Sequence, residues 1–260
     1  MTAEPGRGTG GFDGLTGAPP AGIRTVSPEG GPAATRLVLV RHGEAVCNTS
    51  GVCGGLRGCS GLTERGAAQV ARLRDRLAAT GELAGAGALY ASVLPRAIET
   101  AEILRPALSG PLRPALPVRT ECGLCELHPG EADGLTWDEF AARYETPDWD
   151  RVPDAPLAPG AESWTSFVAR AAGALAAAAG RHPGQQVVVA THAGVIEASI
   201  LAFLPVEGGL AGARLKLRTR HASLTTWEVE DGRWRLLGYN DDAHGAGVAG
   251  PVDRRAGQQA

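Results

Sequence analysis

The stretch VLVRHGEAVCN, residues 38–48, sets the fold. Leu37–Val40 is a continuous β-branched and leucine run of strand length, without the alternation of a half-exposed edge, and suits a buried parallel strand. It ends abruptly in Arg41, His42, Gly43 and Glu44, with Asn48 soon after. A cation and an imidazole at a strand's carboxyl end make a candidate anion site.

A second stretch repeats the pattern. QVVVA, residues 186–190, is another buried strand and runs into Thr191-His192-Ala193-Gly194 and a helix near Val195–Phe203. Between the two lie a third strand at Ala88–Ala91 and a fourth at Pro117–Glu121. Helical spacing is carried by Val70, Leu73 and Leu77 behind a Thr63 N-cap with Glu64 in the first turn. Ala97, Ala101, Leu104 and Leu108 share one face of a further helix whose end Pro106 limits. Trp137–Tyr144 reads as helix, as does the stripe Phe167, Val168, Ala171 and Leu175. Late in the chain, two β-rich runs flank Asp231-Gly232, a hairpin signal. Strands alternating with helices predict a three-layer α/β/α sandwich with a mostly parallel central sheet and a hairpin at one edge.

The 260 residues, 43% of them hydrophobic, allow one sizeable core. Residues 1–34 and 244–260 are rich in Gly, Pro and small polar residues and are predicted as disordered tails around a domain at 35–243. A net charge of −3 gives no reason to expect a nucleic-acid partner. Lys216 is the only lysine, which reads as codon bias. The N-terminus has no apolar core of a secretory signal. Thr191, His192 and Glu197 interrupt the most apolar window, so no membrane partner is expected and the cytoplasm is the expected compartment. The oligomeric state stays open, a homodimer included.

In open α/β sheets ligands bind beyond the carboxyl ends of strands. Arg41-His42, Ser92–Arg96, Glu126 and His192 all follow predicted strands. Arg41 and Arg96 offer planar donor forks suited to phosphate oxygens. His42 and His192 offer a nucleophile and a further donor, Gly43 and Gly194 close backbone approach, and Glu126 an acid. Together they describe phosphoryl transfer through a phosphohistidine, with no metal or cofactor required. Glu121 and Glu131 are nearby carboxylates that could be mistaken for the acid, and His128 reads as a solvated loop residue. Arg57 could contact a substrate anion or simply be solvated.

These motifs carry a resemblance. Arg41-His42-Gly43-Glu44 with Asn48 resembles the RHG signature of the histidine phosphatase superfamily, which includes the cofactor-dependent phosphoglycerate mutases. Leu62–Gly66 is similar to its LTxxG segment, Ser92–Ala97 with Thr100-Ala101 to its S-x-L-x-R-A…T-A helix start, and Glu162-Ser163 to its G-E-S helix entry. Thr191–Gly194 matches its last histidine motif. The resemblance implies a phosphoglycerate mutase-like fold and a phosphomonoesterase acting on a small phosphorylated substrate. It implies His42 as nucleophile, Arg41, Arg96 and His192 as phosphate holders, Glu126 as acid and base, and Asn48 in the substrate pocket. Two arginines beside His42 are expected to keep it neutral, and the need for a protonated Glu126 suggests an acidic activity optimum.

ELHPGEADGLT, residues 126–136, lacks the Y-G-x-L pattern that follows the glutamate in the mutases and is closer to the phosphatase form. It departs from that form at Pro129 and Ala132. Mutase-type transfer and a catalytically silent phospho-ligand binder are the alternatives. Cys47, Cys53, Cys59, Cys122 and Cys125 are an odd set, against a disulfide framework. With only one Cys-x-x-Cys, they read as small buried or loop residues rather than a zinc site or a redox switch.

Overall fold

The computed structural model describes residues 34–109, 114–204 and 217–245. The two predicted tails lie outside these residues, apart from Ala34, His244 and Gly245. The last two belong to a single 3-10 turn, Ala243–Gly245.

Among the described residues, six strands form one sheet: β1 (Thr35–Arg41), β2 (Ala88–Ala91), β3 (Val118–Thr120), β4 (Gln186–Thr191), β5 (Leu224–Glu230) and β6 (Arg233–Asp241). Their spatial order is β3-β2-β4-β1-β5-β6. The first four are mutually parallel, and β5 and β6 add antiparallel. The hairpin turn takes Asp231 and Gly232 at φ 49° and 75°, the doubly left-handed geometry that a two-residue turn needs to match strand twist.

The apolar runs are continuous because both sheet faces are covered. Leu37, Leu39, Tyr90, Val187 and Val189 face α5 (Trp164–Gly180) and α6 (Ala193–Phe203) through Phe167, Ala171, Leu175 and Val195. Val38, Val40, Leu89, Val188 and Ala190 face α2 (Glu64–Thr80) and α3 (Pro95–Leu108) through Val70, Leu73, Leu77, Ala101 and Leu104. Successive side chains on one strand thus serve two cores, as the period of two requires. Pro106 lies inside α3 without ending it; the helix runs two residues further.

A short helix not foreseen from sequence, α1 (Val46–Ser50), follows β1. α4 (Trp137–Arg143) begins at a Thr136–Glu139 capping box. Among the described residues, no helix is long and apolar enough to cross a membrane.

Candidate active site

β1 and β4 are adjacent and end level, Arg41 opposite Thr191. His42 and His192 therefore leave the sheet side by side, with ring centroids 5.1 Å apart. β2 ends in the same layer, and α3 begins there with Pro95 in its first turn, a position that needs no N–H. This sends the Arg96 side chain back toward the strand ends. Arg41, His42, Arg96 and His192 are each at most 6% exposed.

The hydrogen bonds fix the imidazole tautomers. His42 Nδ1 lies 2.6 Å from the Gly43 carbonyl, which only accepts, so Nδ1 carries the proton. Its Nε2 then presents a lone pair and accepts from Arg96 Nε at 3.2 Å. The same Nε–H reaches His192 Nδ1 at 3.3 Å, while His192 Nε2 donates to Ser92 Oγ at 2.7 Å. Arg96 Nη1 is anchored on the Gly54 carbonyl at 2.7 Å, and Arg41 donates to the Thr219 carbonyl.

His42 is held well below the ordinary imidazole range, by burial first and then by Arg96, His192, Arg41 and His221. The sequence reading attributed neutrality to the arginines; desolvation is the larger cause. His192 is lowered in the same way by burial, Arg96 and Arg41. The site thus holds a neutral, directed imidazole within a cationic frame.

Glu126 reaches this frame from a different loop. Its Oε2 accepts from the Gly194 N–H at 3.1 Å, and its Oε1 from the Leu127 N–H at 3.2 Å. The loop is tied to the sheet by Thr191 Oγ1, which donates to the Leu124 carbonyl at 2.9 Å. Arg170 of α5 donates to the carbonyls of Gly123, Cys125 and Glu126 and pairs with Glu162 at 2.7 Å. Glu162 in turn accepts the His128 N–H at 2.9 Å. The Glu162-Ser163 segment therefore both caps α5 and shapes the Glu126 loop. The two other carboxylates point elsewhere: Glu121 pairs with Arg181 at 2.5 Å, and Glu131 accepts from Tyr144 at 3.1 Å.

Four expected contacts take different forms. Asn48 Oδ1 accepts the Ala45 N–H at 3.0 Å and closes the start of α1, so this carbonyl staples the loop instead of facing a ligand. Arg57 is exposed, and its guanidinium lies near Asp133 at 3.8 Å and donates to the Gly130 carbonyl at 3.3 Å. Gly43 gives close approach to the chain itself: a Cβ there would overlap the Gly66 carbonyl at the start of α2. Gly194 gives it to Glu126, whose Oε1 occupies the space a Cβ would need.

Two features were missed from sequence. His221 packs its ring 5.8 Å from His42, and its buried Nε2 has no hydrogen-bond partner among the described residues. It stands in a turn before β5, where no strand-end pattern marks it. His128 is not simply solvated: its Nε2 lies 3.4 Å from Cys122 Sγ. The thiol segments do converge, since Cys59 and Cys125 share a small apolar cluster with Leu94. A cavity of about 970 Å³ lined by Arg36, Gly87 and Gln186 sits at the opposite, amino-terminal end of the sheet and touches none of these groups.

Comparison with known proteins agrees with the geometry. The family model of the histidine phosphatase superfamily (branch 1) matches residues 37–242. The chain is 30% identical over 214 residues to the metal-independent phosphoserine phosphatase of Arabidopsis thaliana, covering 81% of this chain and 83% of that one. Among solved structures, it is similar to a mycobacterial glucosyl-3-phosphoglycerate phosphatase in complex with VO3, at 28% identity and a TM-score of 0.62 over 79% and 98% of the two chains. It is likewise similar to Bacillus stearothermophilus YhfR, at 32% identity and a TM-score of 0.65 over 81% and 98%. The phosphoglycerate mutase-like sandwich, the strand-end histidines and these matches have one meaning: the chain belongs to the histidine phosphatase superfamily, branch 1.

Proposed function

We propose that the protein is a phosphomonoesterase that hydrolyses a small phosphorylated metabolite through phosphohistidine at His42. The observation that carries this reading is the Arg96 Nε–H shared between His42 Nε2 and His192 Nδ1, with Glu126 held on Gly194 beside them. A phosphoryl group entering this frame would take Arg96 and Arg41 as oxygen donors, would be joined by His192 once the His192 proton moves from Nε2 to Nδ1 with Ser92 Oγ donating in return, and would leave His42 Nε2 free to attack in line.

In the first step the His42 Nε2–P bond forms as the P–O bond to the leaving alcohol breaks, and protonated Glu126 gives that alcohol its proton. In the second step Glu126 accepts a proton from water as the water oxygen bonds to phosphorus. The P–N bond breaks and inorganic phosphate leaves. The cationic side chains offset the charge on the transferring group, so no step is routed through a metal.

Relatives named for phosphoserine and for glucosyl-3-phosphoglycerate make phosphate esters of small carboxylate-bearing metabolites the first substrate class to screen. The cytoplasm is the proposed compartment, a reading that five free cysteines support. The test is release of phosphate from an aryl phosphate with EDTA present. Wild type should turn over, vanadate should inhibit, and His42→Ala should lose activity; equal rates for the two proteins would refute the phosphohistidine route.

Mutase-type transfer is the second reading, supported by 37% identity over 126 residues to the 2,3-bisphosphoglycerate-dependent phosphoglycerate mutase of Mycobacterium tuberculosis (strain ATCC 25618 / H37Rv), 47% of this chain and 48% of that one. Rapid phosphoglycerate interconversion with little net phosphate release would favour it.

A further inference from the structure

The segment CGLCELH, residues 122–128, carries three metal-ligating side chains, Cys122, Cys125 and His128, at i, i+3 and i+6, with Glu126 between the last two. We propose that Cys122, Cys125 and His128 form a binding site for a thiophilic divalent ion of the zinc class, with the fourth position open to solvent.

The geometry supports this directly. Cys122 Sγ and Cys125 Sγ are 4.0 Å apart, and Cys122 Sγ lies 3.4 Å from His128 Nε2. All three ligand atoms fall within 4.8 Å of one another. With Zn–S about 2.3 Å and Zn–N about 2.0–2.1 Å, tetrahedral edges are about 3.8 Å between two sulfurs and about 3.6 Å between sulfur and nitrogen. Small side-chain rotations therefore bring the three atoms onto one ion.

The outer contacts are those a metal-bound histidine needs. His128 Nδ1 is 3.5 Å from Glu162 Oε2, which favours the Nδ1–H tautomer and leaves Nε2 as the ligand atom. Glu162 is itself fixed by the Arg170 fork at 2.7 Å, so it orients His128 rather than competing for the ion. Arg170 also holds the backbone between the two cysteines through the Gly123 and Cys125 carbonyls. Cys122 is exposed and His128 partly so, giving an ion a way in, while Cys125 is buried and supplies the rigid side. Two thiolates and one imidazole select zinc-class ions over magnesium or calcium, which prefer oxygen. An ion here would clamp both ends of the loop that carries Glu126. It is separate from the phosphoryl chemistry, so failure of either idea leaves the other standing.

The experiment uses the full chain, purified with reductant, stripped with a chelator and loaded with Co²⁺ or Zn²⁺. Wild type should show a thiolate-to-cobalt charge-transfer band that saturates at one equivalent and is bleached by Zn²⁺. It should carry one zinc in native mass spectrometry, and zinc should raise its Tm. Cys122→Ser and His128→Asn, both at accessible positions, should stay folded by circular dichroism, lose the band, and show no zinc-dependent Tm shift. No band and no added mass in wild type would overturn the proposal. So would equal uptake by both variants, which would place the ion elsewhere. Titration of five free thiols without metal uptake would likewise overturn it.

Discussion

One N–H of Arg96 serves two histidines: Nε lies 3.2 Å from His42 Nε2 and 3.3 Å from His192 Nδ1. Without substrate, this cation holds both lone pairs in place, and an incoming phosphate would compete for the same donor. Arg96→Ala should lower kcat by about 10²–10³-fold, the usual cost of removing a donor aimed at developing charge. It also removes the next largest influence, after burial, that depresses the His42 pKa. The acidic limb of the pH–rate profile should therefore move to higher pH. A fall in kcat with an unmoved limb would show that Arg96 does not set the protonation state of His42.

The buried imidazoles also predict how stability depends on pH. His42, His192 and His221 are all held well below the ordinary value of 6.5, chiefly by burial. Between 6.5 and their folded-state values the unfolded chain binds protons that the folded chain does not. Stability is thus fully present above 6.5 and is lost as pH falls, by up to about 1.4 kcal/mol per pH unit for each histidine. Urea midpoints measured at pH 7.5, 6.5 and 5.5 should decline, with the steeper drop in the second interval. A flat profile would mean that the histidines charge without cost.

Gly194 separates acid catalysis from nucleophilic attack. A Cβ at this position would meet Glu126 Oε1 and lie 3.1 Å from Phe167 Cζ, so Gly194→Ala should displace the carboxylate. A misplacement of about 1 Å can cost about 10²-fold where the group is needed. Alkyl phosphates, whose leaving oxygen must be protonated, should suffer roughly that loss. Aryl phosphates with good leaving groups should lose only a few-fold. Equal losses on both would sink the assignment of Glu126 as the acid.

Gly43 and Gly66 cross at backbone contact where the chain leaving β1 passes the first turn of α2. Gly43→Ala drives a methyl into the Gly66 carbonyl and the Val70 side chain. Overpacking of this kind costs about 1–3 kcal/mol. Thermal unfolding should register it, while Gly81→Ser, with open space around it at the end of α2, should show only the smaller cost of its left-handed φ of 67°.

The sheet was legible because three of its strands, β1, β2 and β4, are short apolar runs, with Leu37–Val40 and Val187–Ala190 buried between the two helical layers. The candidate site was legible for a related reason: Arg41, His42 and His192 stand where those runs stop. What escaped the sequence lacks that punctuation. α1 is five residues long, has Ala45 as its N-cap, and depends on an asparagine reaching back to close its own turn. His221 enters from a turn 29 residues after His192, so only the folded sheet brings it near His42. The thiol loop was visible as Cys-x-x-Cys, but its third member looked solvated until the chain placed His128 back against Cys122.

The bond from His42 Nδ1 to the Gly43 carbonyl has a chemical corollary. With Nδ1 occupied by a proton shared with the backbone, the phosphorylation proposed for His42 would be confined to Nε2. The adduct would be the τ-isomer, a phosphoramidate that is labile in acid and survives alkali. Quenching turnover in base before digestion should preserve it, whereas acid precipitation should leave a peptide indistinguishable from the resting enzyme.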